Sequence, residues 1–358
     1  MNIMHTESMG VRGGEPKRVI DELLIIRELG HSPFLLCRPD TWLEAEALRH
    51  DIPVLHAPIL RAVDPASLRL ISRYIRRHRI DIVHAHNSKD SYSALVAARL
   101  HRIPFIRSRH NDLVKRPGPI YAWADRIVTT GEKIRRELIA YGYAPEKIVS
   151  IPSYPDERLF VPDDERRSSF RRRYDIGTDE VVIGTLTGYN PRKSPHLILE
   201  PLAELLREFP RLRFLVAGPD DKPKYREEFQ GKLSALGLEK RVVFLGYVDA
   251  TEFLDGIDIY VCPSRKEGVP QAVMQAMMMG KPVLSTDVGG IPDLNPDGNL
   301  LLCPSGDPAC FTTQLRRLLG EPALHSELGT RNRSLALERF NRSQMIRLMK
   351  ELYEGVTR

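Results

Sequence analysis

The sequence has little of what marks secreted, fibrous or membrane-spanning chains. Only four cysteines occur in 358 residues, at positions 37, 262, 303 and 310. None forms a C-x-x-C pair, and Cys303 and Cys310 have no histidine at zinc-like spacing. Reduced, mostly buried thiols are therefore expected. No apolar run approaches the roughly 18–20 residues that a membrane span needs. Met1–Gly14 lacks the basic n-region and apolar h-region of a secretory signal. Together these absences point to the cytoplasm. There is no internal repeat, no low-complexity tract, no G-x-G-x-x-G fingerprint and no D-x-D motif. Aromatic residues make up 7%. No aromatic-rich stacking strip accompanies the basic residues, which argues against a nucleic-acid partner.

What is present fits a globular enzyme-sized chain. At roughly 100–200 residues per domain, 358 residues predict two domains. Apolar residues at 42% and charged residues at 28% suffice for two cores. The net charge of +6 is uneven: residues 1–152 hold 24 Lys and Arg against 17 Asp and Glu, +7, and the remainder is −1. Ser67–Ile80, SLRLISRYIRRHRI, is a helical segment carrying Arg69, Arg73, Arg76, Arg77 and Arg79. Such a face suits an anionic lipid surface or an anionic acceptor, with a plain solvated surface as the alternative.

Short apolar runs alternate with helical patterns throughout, which reads as β-α units around parallel sheets. The first half predicts strands at Asn2–His5, Pro33–Cys37, Pro53–His56, Asp81–Ala85, Pro104–Arg107, Arg126–Thr129 and Lys147–Ile151. The second predicts Val181–Thr187, Arg213–Ala217, Val242–Leu245, Ile257–Cys262, Pro282–Ser285 and Leu300–Cys303. Glu15–Leu29 reads as a helix, with Pro16 at its start and Gly30 at its stop. Pro152–Tyr174, Pro-rich and then charged, reads as the linker. The expected division is 1–160, 161–340, and a C-terminal helix at 341–358 packing back toward the first domain. Doubly wound halves of this kind bind ligands at the C-terminal ends of their strands.

Four segments carry chemistry. Pro263–Val283, PSRKEGVPQAVMQAMMMGKPV, follows a strand. Its loop holds Glu267, Gly268 and Val269, and Pro270 is expected in the first turn of the helix that follows. A loop carboxylate there can grip sugar hydroxyls while free N–H groups grip phosphate. Val182–Leu199, VIGTLTGYNPRKSPHLIL, places Arg192 and Lys193 at a strand end before a helix, an ordinary phosphate site. Gly13 and Gly14 sit before the first helix, where backbone can approach a ligand. The segments DIVHAHNSKD (81–90) and RSRHND (107–112) put histidines at strand ends. His84 and His86 are expected to face opposite sides, mostly in structural roles. A zinc site is not expected there, since no carboxylate or Cys completes it at suitable spacing.

This order of segments, over nearly the whole chain, resembles the retaining family 4 glycosyltransferases. Glu267 matches the first Glu of their E-x7-E signature, and Gln275 stands where the second would be. The resemblance implies a GT-B fold: two Rossmann-like doubly wound domains facing a central cleft. It implies that Glu267 contacts the donor sugar and Gln275 the ribose, as a neutral group making weaker bonds. It gives Lys193 the leaving diphosphate. The family Arg after the Gly falls on Tyr189, so Arg192 either substitutes for it or points elsewhere. His110 takes the place of a strand-end His that faces the donor sugar, and Gly13–Gly14 that of a Gly-rich loop in the donor-phosphate and acceptor region. The implied chemistry is transfer with retention from a nucleotide sugar, a UDP-sugar by preference, to a lipid-linked or saccharide acceptor, without a metal. Two alternatives stay open: a catalytically weakened nucleotide-sugar binder, and a GT-B epimerase, which would need further carboxylate pairs.

Overall fold

The computed structural model describes all residues except 10–12, 60–62, 111–117 and 357–358. It divides into two compact units: Met1–Ser153 with Ser343–Arg358, and Tyr154–Arg342.

The first unit alternates strand and helix: β1 Asn2–Glu7, α1 Gly14–Glu28, β2 Ser32–Cys37, α2 Trp42–Arg49, β3 Val54–His56, α3 Pro65–Arg77, β4 Ile82–Ala85, α4 Ser88–Leu100, β5 Phe105–Arg109, β6 Arg126–Thr129, α5 Glu132–Ala140 and β7 Ile148–Ser150. The second runs α6 Asp164–Arg173, β8 Val181–Leu186, α7 Leu199–Leu205, β9 Leu212–Ala217, α8 Pro223–Ala235, β10 Val242–Phe244, α9 Ala250–Gly256, β11 Ile259–Cys262, α10 Gln271–Met278, β12 Val283–Thr286, β13 Leu301–Cys303, α11 Pro308–Gly320 and α12 Pro322–Arg339. α13, Arg342–Val356, supplies its residues from Ser343 onward to the first unit.

Each unit holds one all-parallel sheet. The orders are β3-β2-β1-β4-β5-β6-β7 and β10-β9-β8-β11-β12-β13. Parallel strands covered on both faces are mostly apolar, and these strands are, save for polar residues such as His5, Glu7, His84 and Arg107 in the first sheet. Each order reverses direction once, between β1 and β4 and between β8 and β11. Ligands of open α/β sheets lie at the C-terminal strand ends beside such a switch point. Among the described residues, no helix is long and apolar enough to cross a membrane.

Two expectations need correction. The supposed linker contains a helix built into the second core. In α6, Asp163 caps the start, its carboxylate accepting the Arg166 N–H at 2.8 Å. Phe170 is 1% exposed and lies against Gly256, where an added Cβ would come within 2.0 Å of its ring. Arg167 and Arg171 donate to Asp258. The thiols are also not all reduced: Cys303, ending β13, is bonded to Cys310 in the first turn of α11, while Cys37 and Cys262 are free and buried.

Candidate functional site

In the second unit, the loops after β8 and β11 meet at the switch point. The β8 loop turns at Gly188, φ +57, where an added Cβ would lie 2.3 Å from the Pro219 carbonyl oxygen. Only glycine combines that φ with that approach. The loop then delivers Lys193. Its Nζ donates to both Glu267 oxygens at 2.6 Å, and the Ser264 hydroxyl donates to Glu267 Oε1 at 2.6 Å. The Glu267 side chain is 6% exposed and that of Lys193 25%, so the pair lies part-buried with the cation toward the open side. The Arg265 N–H donates to the Arg192 carbonyl at 2.8 Å, tying the two loops.

The next loop buttresses the pair. Gly290 N–H donates to the Gly268 carbonyl at 2.7 Å. At Gly289, φ +61, an added Cβ would meet the Glu267 carbonyl oxygen at 2.0 Å. Val269 packs against Gly290 and the core. Pro270 caps α10 rather than lying in its first turn. Val273, Met274, Ala276, Met277 and Met278 of that helix are buried, leaving Gln271 and Gln275 one turn apart on the open face.

The structure therefore joins Lys193 and Glu267 directly. The Arg192 side chain is exposed. Tyr189 is 4% exposed and stacks on Phe244 with ring centres 4.1 Å apart, so it is a core residue that offers no charge.

In the first unit the residues gather at the β1–β4 switch point. His110, after β5, is buried; its Nε2 lies 3.1 Å from His86 Nδ1 and 4.0 Å from Glu15 Oε1. Burial, with Arg18, Arg107 and Arg109 nearby, holds its imidazole well below the usual range and hence neutral. Asn111 and Asp112 of the same segment lie outside the described residues. Gly13 is extended and Gly14 opens α1; nothing crowds Gly14, and an added Cβ at Gly13 would meet only Pro16 at 3.9 Å.

His84 and His86 do not face opposite sides. Residues two apart on a strand share a face. Both rings are buried and stacked, 4.5 Å between centres. His5 joins them because β1 and β4 pair His5 with His84. The objection to a metal-type cluster also fails: Glu22 of α1, far from the histidines in sequence, completes a buried group of His5, Glu22, His84 and His86.

Three carboxylates escaped the sequence reading: Glu7 at the end of β1, Glu15 in the first turn of α1 and Asp90 in the first turn of α4. Glu7 and Glu15 lie close enough for each to shift the other's titration. Burial first, then the neighbouring Glu7, pushes Glu15 and Asp90 each up to about 8. Like charges crowded out of water must hold protons. The signal available was a carboxylate at each of three sites around the switch point.

In sequence and fold the chain is similar to known glycosyltransferases. Residues 17–156 match the description Glycosyltransferase Family 4 and residues 180–321 match Glycosyl transferases group 1. The chain is 29% identical over 279 residues to a D-inositol 3-phosphate glycosyltransferase of Streptomyces bingchenggensis, covering 70% of this chain and 61% of that protein. It is 26% identical to the putative glycosyltransferase EpsD of Bacillus subtilis, covering 86% and 84%. The fold matches that of Anabaena HepE, crystallised with UDP, at a TM-score of 0.90 and 20% identity over 99% of this chain and 100% of that one.

Proposed function

The chain belongs to the family 4 glycosyltransferases, and from that premise we propose that it transfers a sugar, with retention, from a nucleoside-diphosphate donor to an anionic lipid-linked or saccharide acceptor. The observation that carries this reading is the Lys193–Glu267 pair at the second switch point. As the glycosidic bond stretches, charge grows on the leaving diphosphate. Lys193, with N–H groups near Gly268 at the start of α10, is placed to hold that charge. Glu267 takes the sugar hydroxyls and Gln275 the ribose. No carboxylate of this loop is free to act as a nucleophile on the sugar, so attack from the leaving-group side, guided by the diphosphate, fits the residue set. In this reading Lys193, rather than a metal, meets the diphosphate. UDP is the favoured nucleotide because HepE binds it. The relatives' names include inositol phosphate and phosphatidylinositol acceptors. These anions suit the +7 first half, which supports work at the cytoplasmic membrane face, in cell-surface glycan synthesis.

A second reading draws on Glu7, Glu15 and Asp90, the carboxylates that a nucleotide-sugar epimerase would need. One experiment separates these readings. A panel of UDP-, GDP- and ADP-sugars is offered with and without acceptors, reading nucleotide release and the sugar's configuration. Transfer or slow hydrolysis, reduced on the order of 10²-fold or more in Lys193→Ala with the fold intact, is expected. Epimerised donor without acceptor would favour the second reading, and binding without turnover would leave a binding protein. Near-normal turnover in Lys193→Ala would remove that residue from the site.

A further inference from the structure

The buried group at the first switch point keeps one carboxylate oxygen, on Glu22, that no hydrogen bond satisfies. His5 Nδ1 and His86 Nε2 lie 2.8 Å apart. Glu22 Oε2 is 3.7 Å from each. The point equidistant from three atoms so spaced lies about 2.0 Å from each, within the roughly 2.0–2.2 Å that zinc keeps to imidazole nitrogen and carboxylate oxygen.

The other polar atom of each residue is already held from outside. His5 Nε2 meets the Tyr353 hydroxyl at 2.9 Å. His86 Nδ1 meets His110 Nε2 at 3.1 Å. Glu22 Oε1 accepts from Arg18 Nε at 2.6 Å, and Arg18 is anchored on Ser153 at 3.0 Å. When the outer nitrogens donate to those partners, three lone pairs converge on one point. Metal-ligating histidines are oriented by outer hydrogen bonds in this way. Glu22 Oε2, in a side chain 1% exposed, has no hydrogen-bond partner. A buried carboxylate oxygen without a partner is costly, and a cation would remove that cost. His84 lies beside them with its two ring nitrogens engaged by Tyr353 at 3.1 Å and Ser108 at 2.7 Å, and one ligand-type atom from each of the four residues lies within 4.8 Å of the others.

We propose that His5, His86 and Glu22, with His84 beside them, bind one zinc ion inside the first unit. The ion is structural. It joins β1, β4 and α1 at the switch point, and Tyr353 brings α13 to the same cluster. The site does not depend on the transfer reading above.

The test uses the full chain, purified without a histidine tag. Metal content is measured after zinc loading and dialysis, and the chain is titrated with Co²⁺. The expected result is about one zinc per chain, a visible Co²⁺ spectrum of low coordination number, and a melting temperature raised by zinc and lowered by chelator. Glu22→Gln and His86→Gln, checked for fold by circular dichroism, should lose the metal. Tyr353→Phe should keep it with affinity weaker by about 10–100-fold. No retained zinc and no zinc-dependent melting shift in the unaltered chain would overturn the proposal, whatever the variants do. Undiminished metal binding by folded Glu22→Gln and His86→Gln would overturn it equally, placing the ion elsewhere.

Discussion

Glu15 shows how one side chain can make a fold sensitive to pH. Its carboxyl titrates at about 8 in the folded chain, against 4.5 for the unfolded group. The folded state therefore binds that proton more tightly. The stability it contributes is present in full below about 4.5 and is lost as pH rises toward about 8. Between pH 6 and pH 8.5 the urea midpoint of the unaltered chain should fall relative to that of Glu15→Gln, a comparison that cancels the opposite contribution of buried neutral histidines such as His110. Asp90, also near 8, acts in the same sense. Equal pH dependence in the unaltered chain and in Glu15→Gln would contradict the assignment. This grouping was not legible beforehand, because positions 7, 15 and 90 come from three elements that only the parallel pairing of β1 and β4 brings together. Lys193 and Glu267 were legible, because each lies in a short segment whose strand, loop and helix are all visible locally. Their direct contact was not, since 74 residues separate them.

At the scale of elements, strands carried the clearest signal. Each of the thirteen apolar runs became a strand, with ends shifted by a residue or two, because a strand covered on both faces has little choice of composition. Helix α6 was hidden for the opposite reason. Its sequence, DERRSSFRRR, has one large apolar residue, so no apolar stripe announces it. What holds it is a cap, arginine bonds to Asp258, and Phe170 seated on Gly256. Phe170→Ala should therefore cost about 3–5 kcal/mol, read as a lowered unfolding midpoint of the second unit. A loss under 1 kcal/mol would show that α6 rests on its polar bonds alone. The disulfide went unread because Cys303 and Cys310 follow no recognised motif; the turn from β13 into α11 is what sets their sulfurs face to face.

At the scale of the molecule, the first unit carries the positive charge. Among the described residues, Arg69, Arg73, Arg76 and Arg77 of α3 form no ion pair with an acidic side chain, so that face keeps its charge. Each such residue near an anionic surface contributes about 1 kcal/mol at most. Binding to anionic vesicles should follow, weakening as salt shortens the screening length to ~3 Å at 1 M. Replacing Arg73, Arg76 and Arg77 with Gln should reduce it. Equal recovery on neutral and anionic vesicles at low salt would mean the acceptor is met in solution. The Lys193–Glu267 pair has a consequence of another kind. On the proposed reading, the empty pocket answers its own charge, so a stray phosphate meets Lys193 already paired. A nucleoside diphosphate alone recruits Lys193 but leaves Glu267 with Ser264 as its remaining partner. A bare sugar engages Glu267 but strands the ammonium. On that reading, only a ligand bringing both halves at once settles both residues, so the site would act as a coincidence detector that favours intact donor over either half alone.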